Sequence, residues 1–306
     1  MGVTSDLTTL AYREQKHVSI KILSAYATEL AESNQLAEID ICAALQRKSA
    51  TSPLDPGLGH VVRPLDIFSF DSSAGKHSCI VTEPFGYSLS ALFDFMDSRK
   101  LPLKRIMKWL KDTLLGLCFL HDQCRVIHSG KEVLTLKEPA FIGFIYTDLK
   151  PQNFLMKIRE PDQVINHELV TRPAVIYEAP KTASFIEVGY CPVQSLPLPL
   201  AIEGDRRELL FEVVISDFGH AHFDDQYLSK IVQPSALRAP EVALGLTWDK
   251  AIDIWSLGCL VSILPSRWYH MRQRIPCRCM NLQPAPGYFV QRTLAKPRRS
   301  DTVSLK

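Results

Sequence analysis

Asp148, Lys150 and Asn153 are spaced by two and three residues in the string Tyr146-Thr147-Asp148-Leu149-Lys150-Pro151-Gln152-Asn153, which runs into the apolar Phe154-Leu155-Met156. Three different functional groups in so short a span suit transfer of a phosphoryl group to a hydroxyl. A carboxylate orients the attacking hydroxyl and takes its proton, an ammonium neutralises the γ-phosphate, and a carboxamide holds a magnesium ion. A Pro-containing surface turn would also expose an Asp and a Lys, but nothing about a turn requires this order. Sixty-four residues after Asn153, the apolar run 211–215 ends in Ser216-Asp217-Phe218-Gly219. There Asp217 offers a second carboxylate to magnesium, and Gly219 gives the backbone freedom to turn.

These groups need elements that hold them over one another. His17-Val18-Ser19-Ile20-Lys21-Ile22-Leu23 alternates as a strand, with Lys21 among apolar neighbours. A lysine there needs a partner to offset the cost of leaving water. Leu36, Ile39, Ala43 and Ala44 recur with helical spacing, which predicts a helix over 29–45 with Glu38 on it, seventeen residues after Lys21. Past a Pro/Gly loop at 52–59, strands are predicted over 61–70 and 77–82. Glu83-Pro84-Phe85-Gly86 then breaks the pattern as a hinge would. Helices are predicted over 88–97 and 103–121, the second burying a stripe of Ile106, Trp109, Leu110, Leu114, Leu117 and Leu120. Residues 157–210, rich in Pro and Glu, exceed what a connection needs and read as an inserted spacer. Ala239-Pro240-Glu241 follows, and a buried helix opens at Asp253-Ile254-Trp255-Ser256-Leu257-Gly258-Cys259.

A chain of 306 residues with 46% hydrophobic and 22% charged residues fits one large or two modest domains with a sizeable core. No apolar run reaches about eighteen residues and no basic-then-apolar start is present, which argues against a membrane span and a signal peptide. The eight cysteines are scattered, mostly in apolar runs, as suits reduced thiols in a cytoplasmic or nuclear protein. Cys277-Arg278-Cys279 lacks a second pair, which argues against zinc. Residues 265–306 hold nine Lys/Arg against one acid, a surplus of +8; with the whole chain at +2, the first 264 residues carry −6. A basic tail can touch nucleic acid or acidic lipid, but the expectation for it is a solvated, disordered segment.

Val18-Ser19-Ile20-Lys21, Glu38, the Asp148 to Asn153 string, Asp217-Phe218-Gly219, Ala239-Pro240-Glu241 and the Asp253 helix together resemble the eukaryotic protein kinase superfamily. The resemblance covers roughly residues 10–264. Within it the chain looks most like the serine/arginine-rich protein-specific kinases, particularly divergent fungal members. The residues pointing there are Thr147 where most kinases have Arg, the spacer before Asp217, and Ile231-Val232-Gln233-Pro234 with Leu237-Arg238-Ala239-Pro240-Glu241.

The resemblance implies an α+β, bilobal fold. Residues 1–83 would be a β-rich small lobe with one helix, 84–264 a mainly α-helical large lobe, and 265–306 the tail. It implies ATP and Mg2+ as cofactors and transfer to serine in Arg/Ser-rich protein substrates such as splicing factors. A monomer without direct nucleic-acid or membrane contact, in the cytoplasm or nucleus, is expected. Asp148 would be the catalytic base, Lys150 the γ-phosphate contact, and Asn153 and Asp217 the magnesium ligands. Lys21 would grip the α/β-phosphates, held by Glu38. Ser19, the backbone of Glu83 and Phe85, and Leu155 would line the adenine pocket, with Thr82 at its back. Asp253 would anchor the catalytic-loop backbone. Thr147 removes the cation that usually reads a phosphorylated activation loop, and the serines between Gly219 and Ala239 are Ser229 and Ser235 alone, so no obligatory activating phosphate is expected.

The chain departs from the family pattern in three places. Residues 1–12 contain only Gly2 and begin too late for a Gly-rich loop and the first strand. Residues 129–146 split His128 from Thr147-Asp148, and removing them would restore an uninterrupted loop, so a retained intervening sequence is expected. With the segment kept, Tyr146 would take the place of His128. After Leu264 no helical pattern continues, which would leave Glu241 without its arginine and the apolar face of the Asp253 helix uncovered. The expectation is a fold incomplete at both ends with little or no transfer. The rival is a catalytically dead kinase-like fragment that serves as a binding module. A small-molecule kinase is a third reading, disfavoured by Ala239-Pro240-Glu241.

Overall fold

The alternating segment around Lys21 forms a strand, and a second strand precedes it. In the computed structural model, which describes residues 7–13, 16–95, 103–129, 149–172, 198–200, 212–225 and 232–263, β1 (Leu7–Arg13) pairs antiparallel with β2 (Lys16–Ile22) along its whole length. One strand therefore stands ahead of the Lys21 strand in the sheet. β3 (Pro64–Ser72) and β4 (Gly75–Thr82) form a hairpin, and β4 pairs with β2 to give one antiparallel sheet of order β1-β2-β4-β3. The hairpin turns at Gly75, whose φ of 119° is open to glycine and strained for other residues.

Two helices accompany this sheet rather than one. α1 (Ala25–Glu32) starts at Ser24, whose hydroxyl accepts from the Ala27 N–H at 3.1 Å. It ends at Ser33, and Asn34 takes the left-handed φ of 57° that Asn tolerates after a helix. α2 (Glu38–Thr51) begins four residues later and buries Ile41, Cys42, Ala44 and Leu45. The helix predicted over 29–45 is thus cut in two. Leu36, Ile39, Ala43 and Ala44, the positions that predicted it, all lie past Asn34, so their helical spacing is that of α2 and the turn before it.

From α2 the chain passes against the helical part. A Cβ on Gly57 would lie 2.1 Å from the Leu115 carbonyl oxygen, and one on Gly116 would lie 2.7 Å from the His60 carbonyl oxygen. Two glycines facing each other let the two backbones touch. Val62 then donates its N–H to the Ile215 carbonyl at 2.9 Å.

β5 (Phe85–Ser88) follows the Glu83-Pro84 break, then α3 (Leu89–Phe95) and α4 (Leu103–Cys118). α4 buries Ile106, Trp109 and Leu117, but Leu114 lies on its exposed side, and a π turn at Phe119–Gln123 replaces the last predicted turn. β6 (Val126–Ile127), the 3-10 turn Pro151–Asn153, β7 (Phe154–Lys157) and α5 (Pro161–Thr171) come next. The predicted spacer thus opens with a helix. β8 (Val213–Ile215) joins β5 and β7 in a sheet of order β5-β7-β8, and β9 (His222–Phe223) pairs with β6. α6 (Pro240–Ala243) and α7 (Ala251–Ile263) close the described chain.

One apolar core runs through both parts. It links Ile41, Leu45 and Ile80 beside the four-stranded sheet to Trp109, Phe154, Ile215 and Leu257. Trp109 meets Phe154 edge-on, with centroids 5.2 Å apart. Ile254 and Trp255 on α7 stay 46% and 45% exposed, so one apolar side of this helix has no cover among the described residues.

Candidate active site

Lys21 finds its partner on the first turn of α2. Its Nζ lies 2.7 Å from Glu38 Oε1, with the glutamate side chain 7% exposed, and 3.4 Å from Asp217 Oδ1. Three charged groups from β2, α2 and the end of β8 therefore meet at one point. Asp217 adopts a left-handed φ of 63°, which turns the chain sharply as it leaves β8. Burial alone would raise its carboxyl; the Lys21 and Lys150 cations outweigh burial and hold it below its ordinary value.

Asn153 ends a 3-10 turn opened by Pro151 and is 5% exposed. Its backbone N–H donates to the Lys150 carbonyl at 2.9 Å, and its own carbonyl accepts from both the N–H (2.9 Å) and the hydroxyl (2.8 Å) of Ser216. The carboxamide-bearing turn and the Asp217 strand are thereby bonded directly. Lys150 is half-buried, and its charge reaches Asp217. Leu155 lies on β7 opposite Val214 and Ser88. Ser19 lies opposite Thr82, and Thr82 donates its hydroxyl to the Glu83 carbonyl at 3.0 Å. Glu83 is exposed, with Arg63 3.7 Å away, and Phe85 opens β5. Asp148, with Tyr146, Thr147, Ser229 and the 265–306 tail including Cys277 and Cys279, lies outside the described residues.

Asp253, fully buried in α7, organises the other side. Its Oδ2 accepts from the His128 N–H and from His121 Nε2, and its Oδ1 from the Ser129 N–H, each at 2.8 Å. Burial would raise this carboxyl, and the His121 hydrogen bond leads the interactions that bring it below its usual range instead. His128 donates from Nε2 to the Ser216 carbonyl at 3.0 Å and meets Phe218 edge-on at 5.5 Å. Burial pushes its imidazole below the ordinary value, against the pull of Asp253. His128 is thus packed against the turn that carries Asp217, while the expectation for Tyr146 falls on residues outside those described. Both flanks of that segment end on one residue, Ser216.

Ser216, His121 and Gln233 contribute in roles the sequence did not assign them, Gln233 having been named only within Ile231-Val232-Gln233-Pro234. Ser216 was visible only as the residue before Asp217. Gln233, at a left-handed φ of 63°, donates from Nε2 to the Ile252 carbonyl (2.6 Å) and the Ser256 hydroxyl (2.7 Å), and its Oε1 accepts from the Ala239 N–H (2.9 Å). Arg238 Nη2 donates to the Gln233 carbonyl at 2.9 Å. The segment before Ala239-Pro240-Glu241 is thus fastened to α7 by neutral hydrogen bonds. Glu241 forms no ion pair among the described residues.

No helix among the described residues is long and apolar enough to cross a membrane, and no family profile matches the chain. Individual relatives do. The serine/threonine-protein kinase SRPK of Physarum polycephalum is 30% identical over 210 residues, covering 66% of this chain and 44% of the relative. The dual specificity protein kinase lkh1 of Schizosaccharomyces pombe is 29% identical over 61% of this chain and 20% of its own length. The serine/threonine-protein kinase AFC1 of Arabidopsis thaliana is 28% identical over 61% of this chain and 31% of its own length. The chain spans less than half the length of each of these relatives. These relatives bear out the resemblance read from the residues: the chain is similar to serine/threonine and dual-specificity kinases of the eukaryotic protein kinase superfamily, SRPK-like ones among them.

Proposed function

We propose that this chain is an ATP-dependent protein serine/threonine kinase whose substrates are Arg/Ser-rich proteins. The observation that carries the reading is the closed set Lys21–Glu38–Asp217 beside Asn153. In this reading residues 1–83 form the small lobe and 84–264 the large one, with the cleft between them. Asn153 and Asp217 offer a carboxamide and a carboxylate, hard oxygen donors of the kind Mg2+ takes. Bound there, the ion would neutralise charge on the transferring phosphoryl group. Lys21 holds the α/β-phosphates and Glu38 fixes its ammonium. Lys150 faces the γ-phosphate. Ser19, Leu155 and the backbone of Glu83 and Phe85 border the adenine. The serine oxygen forms the new bond to phosphorus, its proton passes to Asp148, and ADP leaves.

The preference for Arg/Ser-rich substrates rests on the named SRPK relative; the fastening of Gln233 without a phosphate supports activity that needs no activating phosphate. A cytoplasmic or nuclear monomer belongs to the same proposal. A second reading, a kinase-like binding module without activity, draws on the length of chain set between His128 and Asp148. Phosphate transfer from labelled ATP to an Arg/Ser-repeat peptide separates the two, with Asp148→Asn as control. Transfer that falls on the order of a hundredfold or more in the control supports the kinase reading. Absence of transfer from the unaltered chain supports the binding module.

A further inference from the structure

β2 runs past the end of its neighbour. Its pairing with β4 begins at Ser19, opposite Thr82, so Lys16, His17 and Val18 extend beyond β4 toward the hinge. Where a further sheet residue would stand, α5 delivers a carboxylate. The His17 backbone N–H and its ring Nδ1 both lie 2.7 Å from Asp162 Oδ1. A carboxylate oxygen only accepts, so Nδ1 carries the proton. Asp162 stands in the first turn of α5, one residue after Pro161, which presets the helical start. The two His17 donors, the backbone N–H first, hold the Asp162 carboxyl below its ordinary value.

The far end of the same insert docks nearby. Leu198 and Leu200 reach the hinge strand at Gly86, where a Cβ would lie 2.6 Å from Leu200 Cδ2 and 3.2 Å from the Leu198 carbonyl oxygen. Leu200 is buried in the main core. The insert between β7 and β8 therefore meets the sheet part at β2 and the hinge at β5, two contacts far apart in sequence.

We propose that the described ends of the insert, α5 and residues 198–200, brace the sheet part against the hinge, with Asp162 a positioning residue for Lys21. The path is short. Asp217 follows the end of β8 by two residues, β8 pairs with β7, and β7 leads within four residues to Pro161. From there Asp162 grips His17, and Lys21 lies four residues further along the same face of β2, about 13 Å away. The brace fixes the height of Lys21 over Asp217 before any nucleotide binds. Its effect on nucleotide affinity rests on the kinase reading; its mechanical effect does not.

The test compares Asp162→Ala and Asp162→Asn in the full chain. Asparagine keeps the Oδ1 acceptor and alanine removes it. Amide hydrogen exchange of β2 without nucleotide should rise about tenfold at His17 in Asp162→Ala and stay near the original rate in Asp162→Asn. In the same proteins the dissociation constant for MgATP should rise roughly three- to tenfold in Asp162→Ala, and any KM for ATP should rise more than kcat falls. Gly86→Ala, which pushes Leu198 and Leu200 off the hinge, should weaken MgATP similarly. Unchanged exchange at His17 in Asp162→Ala overturns the brace. Faster exchange with no measurable MgATP binding in any version keeps the brace and overturns the kinase reading.

Discussion

Removing the carboxylate of Asp253 should collapse the catalytic-loop anchor, and the size of the effect follows from its three hydrogen bonds. Asp253→Ala leaves the N–H groups of His128 and Ser129 and the His121 ring nitrogen buried without their acceptor. Each such group costs about 1–3 kcal/mol, which sums to about 3–9 kcal/mol. Set against a total stability of about 5–15 kcal/mol, most of the folded population is at risk. Asp253→Asn is milder. Its NH2 must face either the His128 or the Ser129 N–H, so at best one bond becomes a donor–donor clash, about 1–3 kcal/mol. The assay is urea unfolding followed by tryptophan fluorescence. The asparagine variant should lose about 0.3–1 M in its midpoint and the alanine variant several times that. The pH dependence supplies a check of sign. The folded-state value of Asp253 lies below its unfolded one, near 4, so its stabilisation is complete above about pH 4 and is lost as pH falls through the folded value. The gap between the original chain and Asp253→Asn should be flat from about pH 6 to 8 and should narrow in acid. An alanine variant within about 0.5 kcal/mol of the original would refute the anchoring argument.

Gly57→Ala puts a methyl 2.1 Å from the Leu115 carbonyl oxygen and should destabilise by about 1–3 kcal/mol, read as a lower urea midpoint; an unchanged midpoint would mean the two backbones separate freely. Phosphatase treatment should leave transfer within about twofold of untreated protein, because Gln233 is fastened by neutral hydrogen bonds that need no phosphate. In contrast, Gln233→Ala should expose the peptide bonds near Ala239 to limited proteolysis, and equal cleavage of the two proteins would count against that fastening.

Lys21 and Asp217 were legible in the sequence as charged residues within or just past apolar runs, Glu38 through its place on a helical pattern, and Asn153 through its spacing from Asp148 and Lys150. Their meeting point was not written in spacing alone; it depends on β8 pairing with β7, a contact across more than fifty residues. Ser216, His121 and Gln233 had no such signature. Their work is done by hydrogen bonds to backbone groups distant in sequence, and a serine or glutamine in an apolar stretch looks the same whether or not it makes them. The break between α1 and α2 was hidden for a different reason. The apolar positions that predicted one helix all lie after it, and only Asn34, a residue at ease in left-handed backbone, marked the stop. The strand before Lys21 was hidden because residues 7–13, Leu-Thr-Thr-Leu-Ala-Tyr-Arg, show no period-two alternation; its evidence is the pairing with β2.

The convergence of His128 and Asn153 on Ser216 has a consequence in polymer terms. Twenty residues separate His128 from Leu149, where two would remain without the 129–146 segment. Loop closure grows only as the logarithm of length, so this lengthening costs about 2 kcal/mol of chain entropy. The three hydrogen bonds at Asp253 and the bonds that tie Ser216 to both flanks are of the same size or larger. The two ends of the loop are thus held by what they bind, not by the shortness of the tether between them.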